Sequence, residues 1–115
     1  MDIHERAAGP VPVLELRGRL TLESFGRLKN RVREVVESGT RHVVLDLAAV
    51  PYVDSIGVAE LVRSHVMLRN VGGRLVLASV PGQLTQLLEL TRLDQVVESY
   101  PSQTEAVNAL RAASV

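Results

Sequence analysis

Asp54 and Ser55 stand side by side where an apolar segment and a short loop give way to a helical pattern. A serine at such a boundary can cap the helix, because the first backbone N–H groups of a helix lack partners within it. The same hydroxyl is a ready site for a phosphate, which would face those N–H groups and the positive end of the helix dipole. Ser55 is therefore read as a cap or as a switch, and the residue types leave both open. Nucleophilic catalysis by Ser55 lacks its base. His65 is the next histidine downstream, about 15 Å further along the same helix by helical rise. His4 and His42 could approach only through tertiary folding. The surrounding residues are not Gly-x-Ser-x-Gly, so no nucleophile elbow is written here.

The remaining candidates read more simply as structure. His65 falls on an apolar helix stripe and is expected to be partly buried with a backbone partner. Asp46 interrupts an apolar strand and is expected to bond loop N–H groups, or with Asp54 to approach a hard cation, although two carboxylates make a poor magnesium site. No metal and no cofactor is expected. Gly72-Gly73 lies between a helix and the next strand, the wrong order for a phosphate loop, and reads as a helix stop. Arg27, Lys29, Arg31 and Arg33 form a basic helix surface diluted by Glu23, Glu34 and Glu37, and read as a solvated face.

The composition excludes several classes. The 115 residues carry 13 basic and 13 acidic side chains, so no net field steers the chain to nucleic acid or to an anionic membrane. Cysteine is absent, which removes disulfides, thiolate catalysis and thiolate zinc sites. Aromatic residues are 3%, too few for base-stacking platforms, while 46% hydrophobic residues suffice for an aliphatic core. No signal peptide or membrane-spanning run is evident, so a cytoplasmic location is the expectation.

The elements that must position Ser55 follow from periodicity. Asp2 to Arg6 suggests a short strand and Val11 to Leu16 another, separated by the Gly9-Pro10 turn signal. Phe25, Leu28, Val32, Val35 and Val36 make a helical stripe that Gly39 ends. Val43 to Leu47 is nearly continuous in apolar residues, as in a strand covered on both faces. Val58, Leu61, Val62, His65, Val66 and Leu68 mark the helix after Ser55. Arg74 to Ala78 is a further strand. Pro81 starts a helix with Leu84, Leu87, Leu88 and Leu90 inward. Val96-Val97 could be a last strand, and Ser102 to Ala112 a terminal helix with Ser102 and Glu105 at capping-box spacing. The order β-β-α-β-α-β-α-β-α implies one α/β domain over residues 1–115, with a mixed sheet of four to five strands, a parallel core and about four helices.

This arrangement resembles the STAS domain, and most closely the stand-alone bacterial anti-sigma factor antagonists. The residues that carry the likeness are Gly18-Arg19-Leu20, Val43-Val44-Leu45-Asp46-Leu47, Val53-Asp54-Ser55-Ile56-Gly57-Val58, Gly72-Gly73-Arg74-Leu75 and Leu87 to Leu93. The resemblance implies that Ser55 is phosphorylated by a cognate anti-sigma factor, a serine kinase of the GHKL type. It also implies that the unphosphorylated chain binds that kinase to free a sigma factor, and that a PP2C-type phosphatase reverses the mark. The implied protein is no enzyme, and Asp54, Ser55, Ile56, Gly57, Glu60, Arg63 and Thr21 would meet the partner, with Glu60, Arg63 and Ser64 taken as exposed. It departs from the family at Thr21, where aspartate is common, and at Ile56, where a small or hydroxylated residue is common. The alternatives are a STAS module of a transport or stress-signalling complex, and a small-molecule or nucleotide sensor.

Overall fold

A computed structural model describes residues 1–113. The chain opens with a hairpin, β1 (Asp2–Ala8) and β2 (Val11–Arg17), whose two-residue connection is Gly9-Pro10. A short 3-10 turn at Leu22–Ser24 leads into α1 (Arg27–Glu37), followed by β3 (His42–Ala49) and α2 (Ser55–Asn70). Next come β4 (Arg74–Ala78), α3 (Gly82–Leu90), a 3-10 turn at Leu93–Gln95, β5 (Ser99–Tyr100) and α4 (Gln103–Ala113). The five strands form one sheet in the order β1-β2-β3-β4-β5. Only β1 with β2 is antiparallel; the other three pairings are parallel.

The alternation of side chains along each strand divides the core in two. Leu14, Leu16, Val43, Leu45, Leu47, Leu75 and Leu77 face α1, α2 and α3, which supply Leu28, Val32, Leu61, Leu68, Leu84 and Leu88. Val11, Val13, Val44, Val76 and Ala78 face α4, which supplies Ala106, Val107 and Leu110. β3 is therefore covered on both sides, as its nearly continuous apolar run requires. Asp46 is the polar member of that run. Its Oδ1 accepts from the Ala48 N–H at 2.8 Å, within β3 and not from the loop as expected, and its other oxygen accepts from the Gln103 side chain, which also bonds Glu15.

Four expectations are corrected. Phe25 lies outside α1 and is exposed, because the chain turns through Gly26 at φ +98° before the helix starts. Val66 and Leu90 are exposed: they sit about 140° and 240° around their helices from buried Leu61 and Leu84, at 100° per residue. The last strand is Ser99–Tyr100 and not Val96-Val97, because the 3-10 turn delays the return to β4; buried Val97 fills the core instead. The cap of α4 forms in one direction, with the Glu105 N–H donating to Ser102 Oγ at 3.2 Å. The stop after α2 is as expected, with Gly72 at φ +75° and the Gly73 N–H returning to the Leu68 carbonyl at 2.7 Å.

Candidate functional site

Two loops meet at the end of the sheet where β2 and β3 stop. The Gly18 N–H donates to the Ala49 carbonyl and the Leu20 N–H to the Tyr52 carbonyl, both at 3.0 Å. The Asp54 N–H then donates to the Leu20 carbonyl at 3.3 Å. A parallel bridge between Leu20 and Val53 completes the lacing. Asp54 thus arrives at the start of α2 with its backbone already fixed.

The capping role belongs to Asp54 and not to Ser55. Asp54 Oδ1 accepts from the Gly57 N–H at 2.8 Å, and Oδ2 accepts from the Leu22 N–H at 3.2 Å. One carboxylate therefore caps α2 and ties it to the loop before α1. The Gly57 N–H is the main cause holding the Asp54 pKa below its ordinary value; the Leu22 and Ile56 N–H groups add to it, against a smaller effect of burial. Ser55 is the first helical residue and is exposed, and among the described residues its hydroxyl has no hydrogen-bond partner. An aspartate is as good a cap as serine, and the laced loop delivers Asp54 to the N-cap position, which leaves the Ser55 hydroxyl free.

Gly57 explains how the loops come so close. A Cβ built there would lie 2.1 Å from the Leu20 carbonyl oxygen and 2.9 Å from Val53 Cγ1. Only glycine lets the loop after β2 lie directly on the first turn of α2.

Several large apolar side chains on the laced loops, the turn before α1 and the first turn of α2 are exposed. Leu22 is 66% exposed, Tyr52 51%, Phe25 43% and Ile56 36%. Arg19 lies over the Tyr52 ring at 5.0 Å and Lys29 over the Phe25 ring at 4.7 Å, so a cation stands on each aromatic residue. Arg63 is exposed just over two turns further along α2, about 80° around the helix from Ser55. Beside this patch, a cleft of about 210 Å³ runs between the Val50–Val53 loop and α3, lined by Pro81, Gln83, Leu84 and Leu87. Its lining includes no cationic side chain to meet a phosphate.

Four residues expected at the partner surface lie inside. Glu60 and Ser64 are fully buried, and Gly57 is buried with them, because the line Gly57, Leu61, Ser64 and Leu68 is the centre of the face that α2 turns inward. Glu60 Oε2 accepts from the Gly26 and Lys29 N–H groups, each at 2.9 Å, which caps α1 from the neighbouring helix. Its Oε1 has no partner among the described residues. Ser64 Oγ donates to the Glu60 carbonyl at 2.9 Å. Thr21 is 8% exposed, and its N–H donates to Ser24 Oγ at 3.1 Å, so it shapes the turn before α1. The signal for Glu60 was present in the sequence: it sits one helical position before Leu61 and four before Ser64, beside the Leu61–Leu68 line and not opposite it.

The other candidates behave as structure. His65 is buried, and its Nδ1 has no partner, unlike the backbone bond expected of it. Burial, and then Arg69, hold its pKa below the ordinary imidazole value, against a smaller opposing effect of Glu98. Asp46 and Asp54 are engaged with different partners and form no joint cation site. No cluster of three or more histidine or acidic side chains able to hold a metal occurs among the described residues. The basic face of α1 is largely answered: Arg31 pairs with Glu5 and Glu34, Arg27 bonds the Met1 carbonyl, and Arg33 bonds Asn30. No helix among the described residues is long and apolar enough to cross a membrane.

The family model of the STAS domain matches residues 3–106. The chain belongs to the STAS domain family. Among solved structures, a candidate anti-sigma factor antagonist of Thermotoga maritima is 25% identical, with a TM-score of 0.89 over 95% of this chain and 94% of that one. An anti-sigma factor antagonist of Mycobacterium paratuberculosis is 23% identical, with a TM-score of 0.85 over 96% and 93%. The Bacillus anti-sigma factor antagonist SpoIIAA, known in phosphorylated and unphosphorylated forms, is 15% identical; its unphosphorylated form gives a TM-score of 0.74 over 96% and 98%. A sulfate transporter family protein of Wolinella succinogenes shares the fold at 20% identity, with a TM-score of 0.79 over 90% and 86%. This STAS chain has the mixed five-stranded sheet and four helices of these neighbours.

Proposed function

We propose that this STAS protein is an anti-sigma factor antagonist switched by phosphorylation of Ser55. Unphosphorylated, it docks an anti-sigma factor, a serine kinase of the GHKL type, through the patch of Leu22, Phe25, Tyr52 and Ile56, and so frees a bacterial sigma factor in the cytoplasm. The kinase phosphorylates Ser55 and ends the docking, and a PP2C-type phosphatase restores it. The chain itself catalyses nothing.

The observation that carries this reading is the division of labour between Asp54 and Ser55. Because Asp54 holds the helix cap, the Ser55 hydroxyl is exposed and free to be modified. A phosphate adds about −1.5 to −2 charges near neutral pH. On Ser55 it would be next to an already ionised Asp54 and within an apolar docking surface. The helix end tolerates the anion. A closed interface does not, since burying such a charge unpaired costs about 2–5 kcal/mol, or roughly 30- to several-thousand-fold in affinity.

The test uses a purified GHKL-type anti-sigma kinase, ATP and the intact chain. One phosphate is expected, located on Ser55 by mass spectrometry, and Ser55→Ala should accept none. Ser55→Asp should melt within about 2 °C of the parent yet lose the kinase. Phosphate on another residue, or unchanged binding by Ser55→Asp, overturns the switch. The fold's occurrence in a transporter family protein supports a second reading, a module of a membrane transport complex. That reading predicts co-purification with membrane subunits in place of the kinase.

A further inference from the structure

β1 is the edge of the sheet, paired on one side only with β2. It runs seven residues in unbroken register, with no proline and no bulge; the sheet's irregularity lies between β2 and β3. Such an edge offers a row of unpaired N–H and C=O groups to another strand. In the hairpin, Ala8 and Val11 close the two-residue turn, so Ala8, Arg6, His4 and Asp2 direct their backbone groups to β2. Ile3, Glu5 and Ala7 direct theirs outward, beyond the sheet.

We propose that β1 is a self-association edge: two copies of the chain pair their β1 strands antiparallel about His4, making one continuous sheet. The argument is the charge pattern. With His4 opposite His4, the outward backbone groups of Ile3 meet those of Glu5 in the second copy. Asp2 then falls opposite Arg6 of the second copy, and Arg6 opposite its Asp2, on the face that carries α4. These are non-hydrogen-bonded positions, where opposing side chains are nearest. Arg6 already donates to Gln103 Oε1 at 2.5 Å from this face, and its five donors leave others for a carboxylate. A shift by two residues one way sets Glu5 against Glu5 and Arg6 against His4. A shift the other way leaves Arg6 with no strand residue opposite. Of the three registers only the first sets Arg6 against a carboxylate, which distinguishes this edge from the like-charged edges that block pairing. The inference is independent of Ser55.

An interface of two strands is small, so the association is weak, with a Kd of roughly 0.1–1 mM. Sedimentation equilibrium of the intact chain from about 10 µM to about 1 mM should show monomer passing to dimer over that range. Arg6→Asp sets like charges opposite each other twice and should weaken the dimer at least about tenfold, as should Asp2→Arg alone. The double variant Asp2→Arg/Arg6→Asp restores opposite charges and should recover the parent Kd. Because Arg6 also bonds Gln103, thermal melts accompany each variant. Amide exchange on the unmutated chain gives a reading that no variant can confuse: Ile3, Glu5 and Ala7 should slow as concentration rises. A chain that stays monomeric at about 1 mM overturns the proposal, whether its edge is idle or kept for an extended peptide of another protein. So does a dimer indifferent to both single reversals, or one whose slowed amides lie outside β1.

Discussion

Gly57→Ala tests the idea that the close approach of two loops builds the site. The added Cβ would lie 2.1 Å from the Leu20 carbonyl oxygen and 2.9 Å from the Leu20 carbonyl carbon. An ordinary carbon–oxygen contact is about 3.3 Å, so the loop must retreat by about 1.2 Å. The same Leu20 carbonyl accepts the Asp54 N–H, already at 3.3 Å, and retreat breaks that bond. Overpacking of this kind costs about 1–3 kcal/mol, and the lost bond about 1 kcal/mol more. Alanine returns up to about 1 kcal/mol of helix propensity. The net loss is about 2 kcal/mol. With an unfolding entropy of about 0.24 kcal/mol/K for a chain of this length, the melting temperature should fall by about 8 °C. Differential scanning calorimetry measures this directly. Gly82→Ala is the control, since a Cβ there meets nothing within 4 Å, and it should leave the melting temperature unchanged or raised. If Gly57→Ala melts within about 2 °C of the parent, the loop yields freely, and the claim that glycine sets the geometry of Asp54 and Ser55 is wrong.

Further outcomes follow from the same contacts. Glu60→Ala strips the acceptor from the Gly26 and Lys29 N–H groups and should cost about 2–5 kcal/mol in chemical denaturation, while Glu60→Gln, which keeps an acceptor, should cost less. Asp54 has a folded pKa below its ordinary value of 3.8, so its stabilisation is present above pH 3.8 and lost as pH falls through the folded value. The stability gap between the parent and Asp54→Asn, measured by urea denaturation, should therefore be open at pH 7 and close in strong acid. His65 has a folded pKa below its ordinary value of 6.5, so stability should decline as pH drops from 6.5 through the lowered value, and His65→Gln should flatten that slope. Phe25→Ala should weaken docking to the anti-sigma kinase in calorimetric titration without lowering the melting temperature, because Phe25 is exposed outside α1.

Much of this arrangement was legible in the order of elements, because each strand and helix carries its own period. The apolar run from Val43 to Leu47 announces a strand buried on both faces, and α4 covers the second face as that run demands. The boundary at Ser55 was equally readable, since loop and helix chemistry change there abruptly. The division of tasks at the boundary was not. Asp54 and Ser55 are both good caps, and only the path of the preceding loop, fixed by the Leu20–Val53 bridge, decides which side chain turns back onto the helix. Glu60 was misplaced for a related reason. A charged residue on an amphipathic helix is read as surface, and the partners that satisfy it, Gly26 and Lys29, are backbone groups far away in sequence. Val96-Val97 failed because a β-branched pair fits a core turn as well as a strand.

The scaffolding set of Asp54, Gly57 and Glu60 has an evolutionary consequence. These residues fix the scaffold through bonds and close contacts within the chain, whereas Leu22, Phe25, Tyr52 and Ile56 carry little of the core's burden. Descendants of a duplicated gene can therefore exchange the outward set without endangering the architecture that presents it. If docking runs through that patch as proposed, several such chains could coexist in one cell, with insulation between them written in a few exposed side chains.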